Sequence, residues 1–443
     1  MKGKKRFLVW PALLLCWLPC YISYFPGIYS YDIPFQHLQI LGLAPWNNHQ
    51  PVIHTLFWGL CWKVELLTGY HPAALIVYSV LQMLLQSFLL SLVVLRLGRF
   101  GRFASLAGFL WYALMPTLAV FAPVTAKDVV FAGLFVFWLT MLPDLYEKKT
   151  VTLKTVLPLI ITGLFICLLR KNAPYVLLMT ALVFLLLKKT WLFMGVFIPA
   201  ILSFFITGFV YGWAGVEPSS EAEMLSVPMS QLASVYNDED ALITKKDRSG
   251  IEYYMSPEAY NPRIADPLKD TFRTDMYKKN KAAFWKLYFH VFSEEPVRML
   301  RAGLMLNEPY WNPFVPFPDP YAHIRYIETY ISVETRYRVE CAGVLPHVHD
   351  LYDSFARHDN RLTNSRFTGW LFSLWFPAWF ILATFVVAVV RQRSELLCLY
   401  IPVLFLFITY LLGPLTNFRY LYCFELMLPV MGCAALGREE FAG

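Results

Sequence analysis

Apolar runs at about 7–25, 73–95, 103–122, 128–146, 154–169, 173–187, 190–212, 367–390, 396–414 and 420–436 constrain this chain more than any other feature. A helix needs roughly 17 to 25 apolar residues to cross a hydrocarbon core, and most of these runs meet that length. Composition agrees. Of 443 residues, 57% are hydrophobic and only 16% charged, against about a quarter charged in ordinary soluble domains. The runs predict an all-α polytopic membrane protein of about ten transmembrane helices.

Charge sets the expected orientation. With the N-terminus inside, the inner loops carry Lys2, Lys4, Lys5 and Arg6, then Arg96, Arg99 and Arg102, then Lys148, Lys149 and Lys154, then Lys188 and Lys189, then Arg391 and Arg393. Every one is basic, as the positive-inside rule requires, and the C-terminus ends inside with Arg438. This topology accounts for the net charge of +7, so no nucleic-acid partner is implied. KGKKR followed by apolar residues has the look of a signal peptide, but no small-residue cleavage site follows, and the segment reads as an uncleaved first span. The expected location is a plasma membrane with both termini cytoplasmic.

Three regions are expected. Residues 1–212 form a seven-span membrane domain, 213–366 a mixed, mainly helical extracytoplasmic domain, and 367–443 a three-span membrane domain. Residues 51–67 are apolar but short and contain Lys63 and Glu65. Ile53, Leu56, Phe57, Leu60, Val64 and Leu67 share one helical face while His54, Trp58 and Glu65 share another, which predicts an amphipathic helix in the outer interface. In the outer block, 278–292 reads as helix, Ser293-Glu-Glu-Pro296 as a helix start with acids in its first turn, and EPYWNPFVPFPDPY (308–321) as a packed surface loop. Cys16, Cys167, Cys398, Cys423 and Cys433 lie in apolar runs as small packing residues. The outer block's single Cys341 leaves it without an internal disulfide. No Cys/His spacing suggests a metal site, and no cofactor is expected.

The polar residues gather at one depth. Residues 26–50 lack Lys and Arg and carry one carboxylate, Asp32, with His37 and His49. On this topology Asp32, His49 and Gln50 in the first outer loop, Lys127 and Asp128 at the start of the fourth span, Arg170, Lys171 and Asn172 between the fifth and sixth, and Arg419 at the start of the tenth share the outer headgroup level. Cations there suit a lipid phosphate, Arg through its planar fork and Lys as a point charge. A carboxylate suits proton abstraction from an acceptor hydroxyl. Each piece also has a structural reading. Asp32 fits a turn beside Pro34, and Thr125-Ala-Lys-Asp128 fits a capping box. Arg170 and Lys171 fit a hydrophilic turn, Arg419 fits a snorkelling side chain, and the histidines fit packing roles. Glu425, inside the last span, requires a partner that the sequence does not name.

An N-terminal span, an outer loop with an acid (YSYDIPFQ) and interfacial helices resemble the GT-C superfamily of integral-membrane glycosyltransferases. That resemblance implies a catalytic Asp at Asp32 and, through TAKDVVFA, a second acid at Asp128. LSVPMSQLASV (225–235), YNPRIADPLKD (260–270) and FRYLY (418–422) resemble an uncharacterised family of multi-pass proteins from Gram-positive bacteria. A lone acid in the first loop, where many GT-C members have a pair, departs from a metal-dependent pattern. The resemblance implies transfer of a sugar from a polyprenyl-phosphate donor to an envelope polymer, glycolipid or protein. His49 and Gln50 would bind the sugar, and Lys127, Arg170, Lys171 and Arg419 the phosphate. A polymerase or ligase of lipid-linked oligosaccharides is the alternative, with Arg325, Arg336 and Arg338 as its critical residues. A transporter or flippase would place ionisable groups and broken helices near the midplane instead.

Overall fold

The computed structural model describes residues 8–147, 151–315 and 343–437, with the backbone of a two-residue strand pair, Tyr330–Ile331 and Arg338–Val339. The rest is almost all helix and loop. The basic N-terminus, Lys148, Lys149, Arg438, Cys341, the end of the proline tract and the side chains of Arg325, Arg336 and Arg338 lie outside the described residues.

Four helices among the described residues are long and apolar enough to cross a membrane: Ala73–Phe100, Lys127–Glu147, Thr190–Trp213 and Phe418–Leu436. Five shorter apolar helices accompany them: Val9–Ser23, Leu153–Leu169, Ala173–Leu186, Phe376–Val390 and Glu395–Leu411. The run at 103–122 departs from expectation and is split into Arg102–Leu114 and Pro116–Phe121, with Met115 extended between them. Pro116 causes the break, because its ring pushes the preceding residue out of the helical region.

The chain forms two units. The first comprises Met1–Glu217, His323–Leu406 and Phe418–Gly443, and the second Pro218–Ala322 with Phe407–Asn417. In the first unit, α1 (Val9–Ser23) leads into α2 (Ile33–Ile40), α3 (Val52–Thr68) and α4 (Ala73–Leu97). Helix α3 buries the polar face, His54, Thr55, Trp58 and Glu65, while Leu56, Leu60, Leu66 and Leu67 are 51 to 87% exposed. Its apolar side therefore points away from the protein. Glu65 is satisfied by the amide of Ala74 at 3.0 Å and by His71 Nδ1 at 3.2 Å.

Between α1 and α2 the chain runs flush against α4. Gly27 sits at φ +144, and a Cβ there would strike Ser79 Oγ and crowd Leu75. Only glycine meets both demands. Ile28 then forms a parallel bridge with Val124, the Thr125 amide donates to the Ile28 carbonyl at 2.9 Å, and Ser30 exchanges two bonds with Thr125. This clamp delivers the first loop to the start of the Lys127–Leu139 helix.

At the other end of the Lys127–Glu147 helix, about 30 Å away at 1.5 Å per residue, Arg96 and Arg99 pair with Asp144 at 2.5 and 3.0 Å. Arg391 and Arg393 donate to the last carbonyls of the 418–436 helix, as cations at a helix C-terminus do.

The second unit has its own core of Met229, Leu232, Ile251, Met255, Phe284, Val291 and Met299. The expected start at Ser293 is corrected. The helix Lys281–Glu294 runs through Ser293, and the next, Pro296–Met305, begins with Glu295 as N-cap and Pro296 in its first turn. Proline fits there because a first-turn amide has no helical partner.

Candidate functional site

Three loops and two helix starts of the first unit build the site. Asp32 is the N-cap of α2, and its side chain does not cap that helix. Its Oδ2 instead accepts from Lys127 Nζ at 2.8 Å and from Arg419 Nη1 at 3.0 Å. Lys127 Nζ also donates to Oε1 of the buried Gln50. Asp128 Oδ1 accepts from Arg170 Nε at 2.8 Å and from Arg170 Nη2. Arg419 Nε stands 4.0 Å from Asp128 Oδ2 and so links the two carboxylates.

The capping-box reading of Thr125–Asp128 is corrected, because Ala126 is the N-cap and Thr125 is engaged with Ser30. Asp128 is thereby released to the guanidinium. Of the remaining expected residues, His49 and Lys171 are exposed, and Asn172 takes the N-cap position of the Ala173–Leu186 helix.

The cluster has two tiers. Arg170 and Asp128 side chains are 9% and 1% exposed, whereas Asp32, Lys127 and Arg419 are 14, 15 and 26% exposed. The sealed pair fixes geometry, and the outer three remain partly exposed. Three cations face two carboxylates, leaving one net positive charge for an incoming anion. Burial disfavours the Asp32 carboxylate, but Lys127 and Arg419 outweigh it and hold the group well below the ordinary carboxylate range. A carboxylate so held is a weak base until its cations are drawn elsewhere.

Sequence reading missed Tyr420. Its ring lies under the guanidinium of Arg170 at 4.7 Å and of Arg419 at 5.2 Å, a cation–π contact that sets both planes. Glu425, whose partner the sequence left open, accepts from Thr117 Oγ1 at 3.0 Å. Among the described residues no group of three or more His, Cys, Asp or Glu could hold a metal ion.

A family model described as a family of unknown function (DUF6020) matches residues 43–440. The chain belongs to the DUF6020 family. No curated protein and no solved structure matches it. The DUF6020 match includes Gln50, Lys127, Asp128, Arg170 and Arg419, the residues that surround Asp32.

Behind the cluster of this DUF6020 member runs a buried polar chain, of which the sequence reading named only His54, as a packing histidine. His54 Nδ1 meets Gln36 Oε1 at 3.0 Å and Nε2 meets Tyr78 OH at 2.6 Å. Tyr78 donates to Gln82 Oε1 at 2.9 Å, and Gln82 Nε2 donates to the carbonyls of Ala122 and Val124 at 2.8 and 2.6 Å. The chain ends three residues before Lys127 and braces the turn that presents it. The available signal was a polar stripe, Ser79, Gln82 and Gln86, on an otherwise apolar span.

Burial, helped by the Lys127 charge, pushes His54 down to about 4, and burial alone does the same to His37. Unfolded histidine titrates near 6.5. Both groups therefore leave stability intact above about pH 6.5 and erode it as pH falls toward 4, where the unfolded chain takes up protons that the native state refuses. Each contributes a slope of about 1.4 kcal/mol per pH unit at most. Thermal melting in detergent between pH 7.5 and 4 is expected to show this loss, and His54→Gln to reduce the slope. An unchanged slope in the variant would mean that His54 accepts its proton in the folded state.

Proposed function

We propose that the protein is a GT-C-type membrane glycosyltransferase that moves a sugar from a polyprenyl-phosphate donor to an envelope acceptor on the outer face of a bacterial plasma membrane. About ten spans with both termini inside would bring the Asp32 end of the first unit to the outer headgroup layer. The observation that carries this reading is the Asp32 carboxylate held between Lys127 and Arg419, two partly exposed cations at the starts of apolar helices, in a cluster with one surplus positive charge.

The Asp32 carboxylate takes the position between Lys127 and Arg419 that suits a phosphate. A donor phosphate draws Lys127 and Arg419 to itself, and Asp32 recovers basicity as its cations leave. Asp32 then takes the proton of the acceptor hydroxyl as the acceptor oxygen bonds to the sugar's anomeric carbon. The bond from that carbon to the phosphate oxygen breaks, and polyprenyl phosphate departs with the electron pair, its charge held by Lys127 and Arg419. Asp128 acts through Arg170 and the edge of Arg419 as a positioning residue, and Gln50 steadies Lys127 beside the sugar site.

The reading is tested by mass spectrometry of envelope polymers, glycolipids and surface proteins from a deletion strain. Loss of one glycosyl decoration is expected, and its restoration by the wild-type chain but not by Asp32→Asn. An envelope identical to wild type in all three fractions overturns it.

A further inference from the structure

The hydrophilic unit carries a second feature, which does not depend on the transfer reading. The Pro296–Met305 helix buries Met299 and Ala302 in that unit's core, yet Val297, Leu300 and Leu304 are 76, 53 and 52% exposed. Spaced at i, i+3 and i+7, they form one stripe along the opposite side of the helix. Apolar residues extend it at both ends. Glu295, the N-cap, accepts from the amide of Leu242, which is 78% exposed, at 2.6 Å. Past the C-terminus, the Trp311 indole donates to the Leu304 carbonyl at 3.2 Å. The exposed Arg301 lies beside Leu300 and Leu304, while Arg298 is engaged by Asp238 and Glu295 at 2.6 and 2.7 Å.

What this stripe meets follows from where the helix is tied. Asn307, two residues beyond its end, donates through Nδ2 to the carbonyls of Leu411 and Gly413 at 2.9 and 3.2 Å. Those carbonyls close the apolar helix Glu395–Leu411, whose last turns belong to this same unit. Tyr310 repeats the tie by bonding both the amide and the carbonyl of Asn417 at 2.8 and 3.0 Å. On the apolar helix Ile408 is 43% and Leu412 59% exposed. The stripe thus starts where an apolar helix ends.

We infer that the Pro296–Met305 helix is an interfacial anchor that seats the hydrophilic unit on the outer lipid surface, with Val297, Leu300 and Leu304 among the upper acyl carbons. Arg301 lies at the phosphate level and favours anionic headgroups. An apolar stripe left in water beside charged neighbours would otherwise be a liability for a surface helix.

The test places the photoreactive amino acid benzoylphenylalanine at position 300 of the full-length chain. The protein is reconstituted in nanodiscs of phosphatidylglycerol and phosphatidylcholine and irradiated, and the adducts are weighed. A phospholipid adduct is expected, with phosphatidylglycerol over-represented relative to its share of the bilayer, and Arg301→Gln is expected to remove that preference. Adducts confined to a second copy of the chain, or to other residues of the same chain, overturn the proposal. So does irradiation that yields no lipid adduct while the protein remains folded by its melting curve.

Discussion

Asp32→Asn is expected to lower sugar transfer in membranes supplied with lipid-linked donor by roughly 10²- to 10⁴-fold, the range that a positioned general base contributes. The amide is nearly isosteric and leaves Lys127 and Arg419 in place but no longer neutralised. Binding of the lipid phosphate is therefore expected to hold or tighten while turnover falls. A base produces that split between KM and kcat, and a merely structural carboxylate does not. Asp32→Glu, which keeps the charge but shifts the oxygens, is expected to retain part of the rate. Equal transfer by wild type and Asp32→Asn at matched expression would remove the base and with it the proposed mechanism.

The largest effect on stability is expected from Asp128→Ala. It removes the carboxylate from beside the Arg170 guanidinium, which is 9% exposed and lies over the rings of Phe131 at 5.3 Å and Tyr420 at 4.7 Å. Breaking a buried pair on one side typically costs about 3–5 kcal/mol, because the surviving charge stays desolvated. Replacing both partners with apolar residues of similar volume, Asp128→Leu with Arg170→Met, is expected to recover most of that loss for the same reason. Unfolding in detergent micelles, followed by tryptophan fluorescence against denaturant, measures both. A single variant within about 1 kcal/mol of wild type would mean that water reaches the pair and screens it.

Much of the charged cluster was legible in the sequence. Asp32, Lys127, Asp128, Arg170 and Arg419 stand out because they are the charges at the ends of apolar runs on the side opposite the basic loops. Their partnership could not be read, since a list of residues at one depth leaves open who pairs with whom. The pairing follows from contacts far apart in sequence: Gly27 against Ser79, Ile28 beside Val124, and Ser30 bonded to Thr125. Local reasoning failed at Thr125 for the same cause. A capping box is a contact within four residues, and here a bond to a loop 95 positions away displaced it.

The presence of helices long and apolar enough to cross a membrane and the two-faced nature of the 52–68 helix were legible in the sequence alone, because hydropathy and helical period are properties of neighbours along the chain. Which face of that helix turns inward was decided only by the tertiary structure, as was the route by which His54, Tyr78 and Gln82 brace the Lys127 turn and the division of five charges into a sealed pair and a partly exposed triad. Burial and hydrogen bonding across helices depend on how surfaces meet, and no window of sequence contains both surfaces.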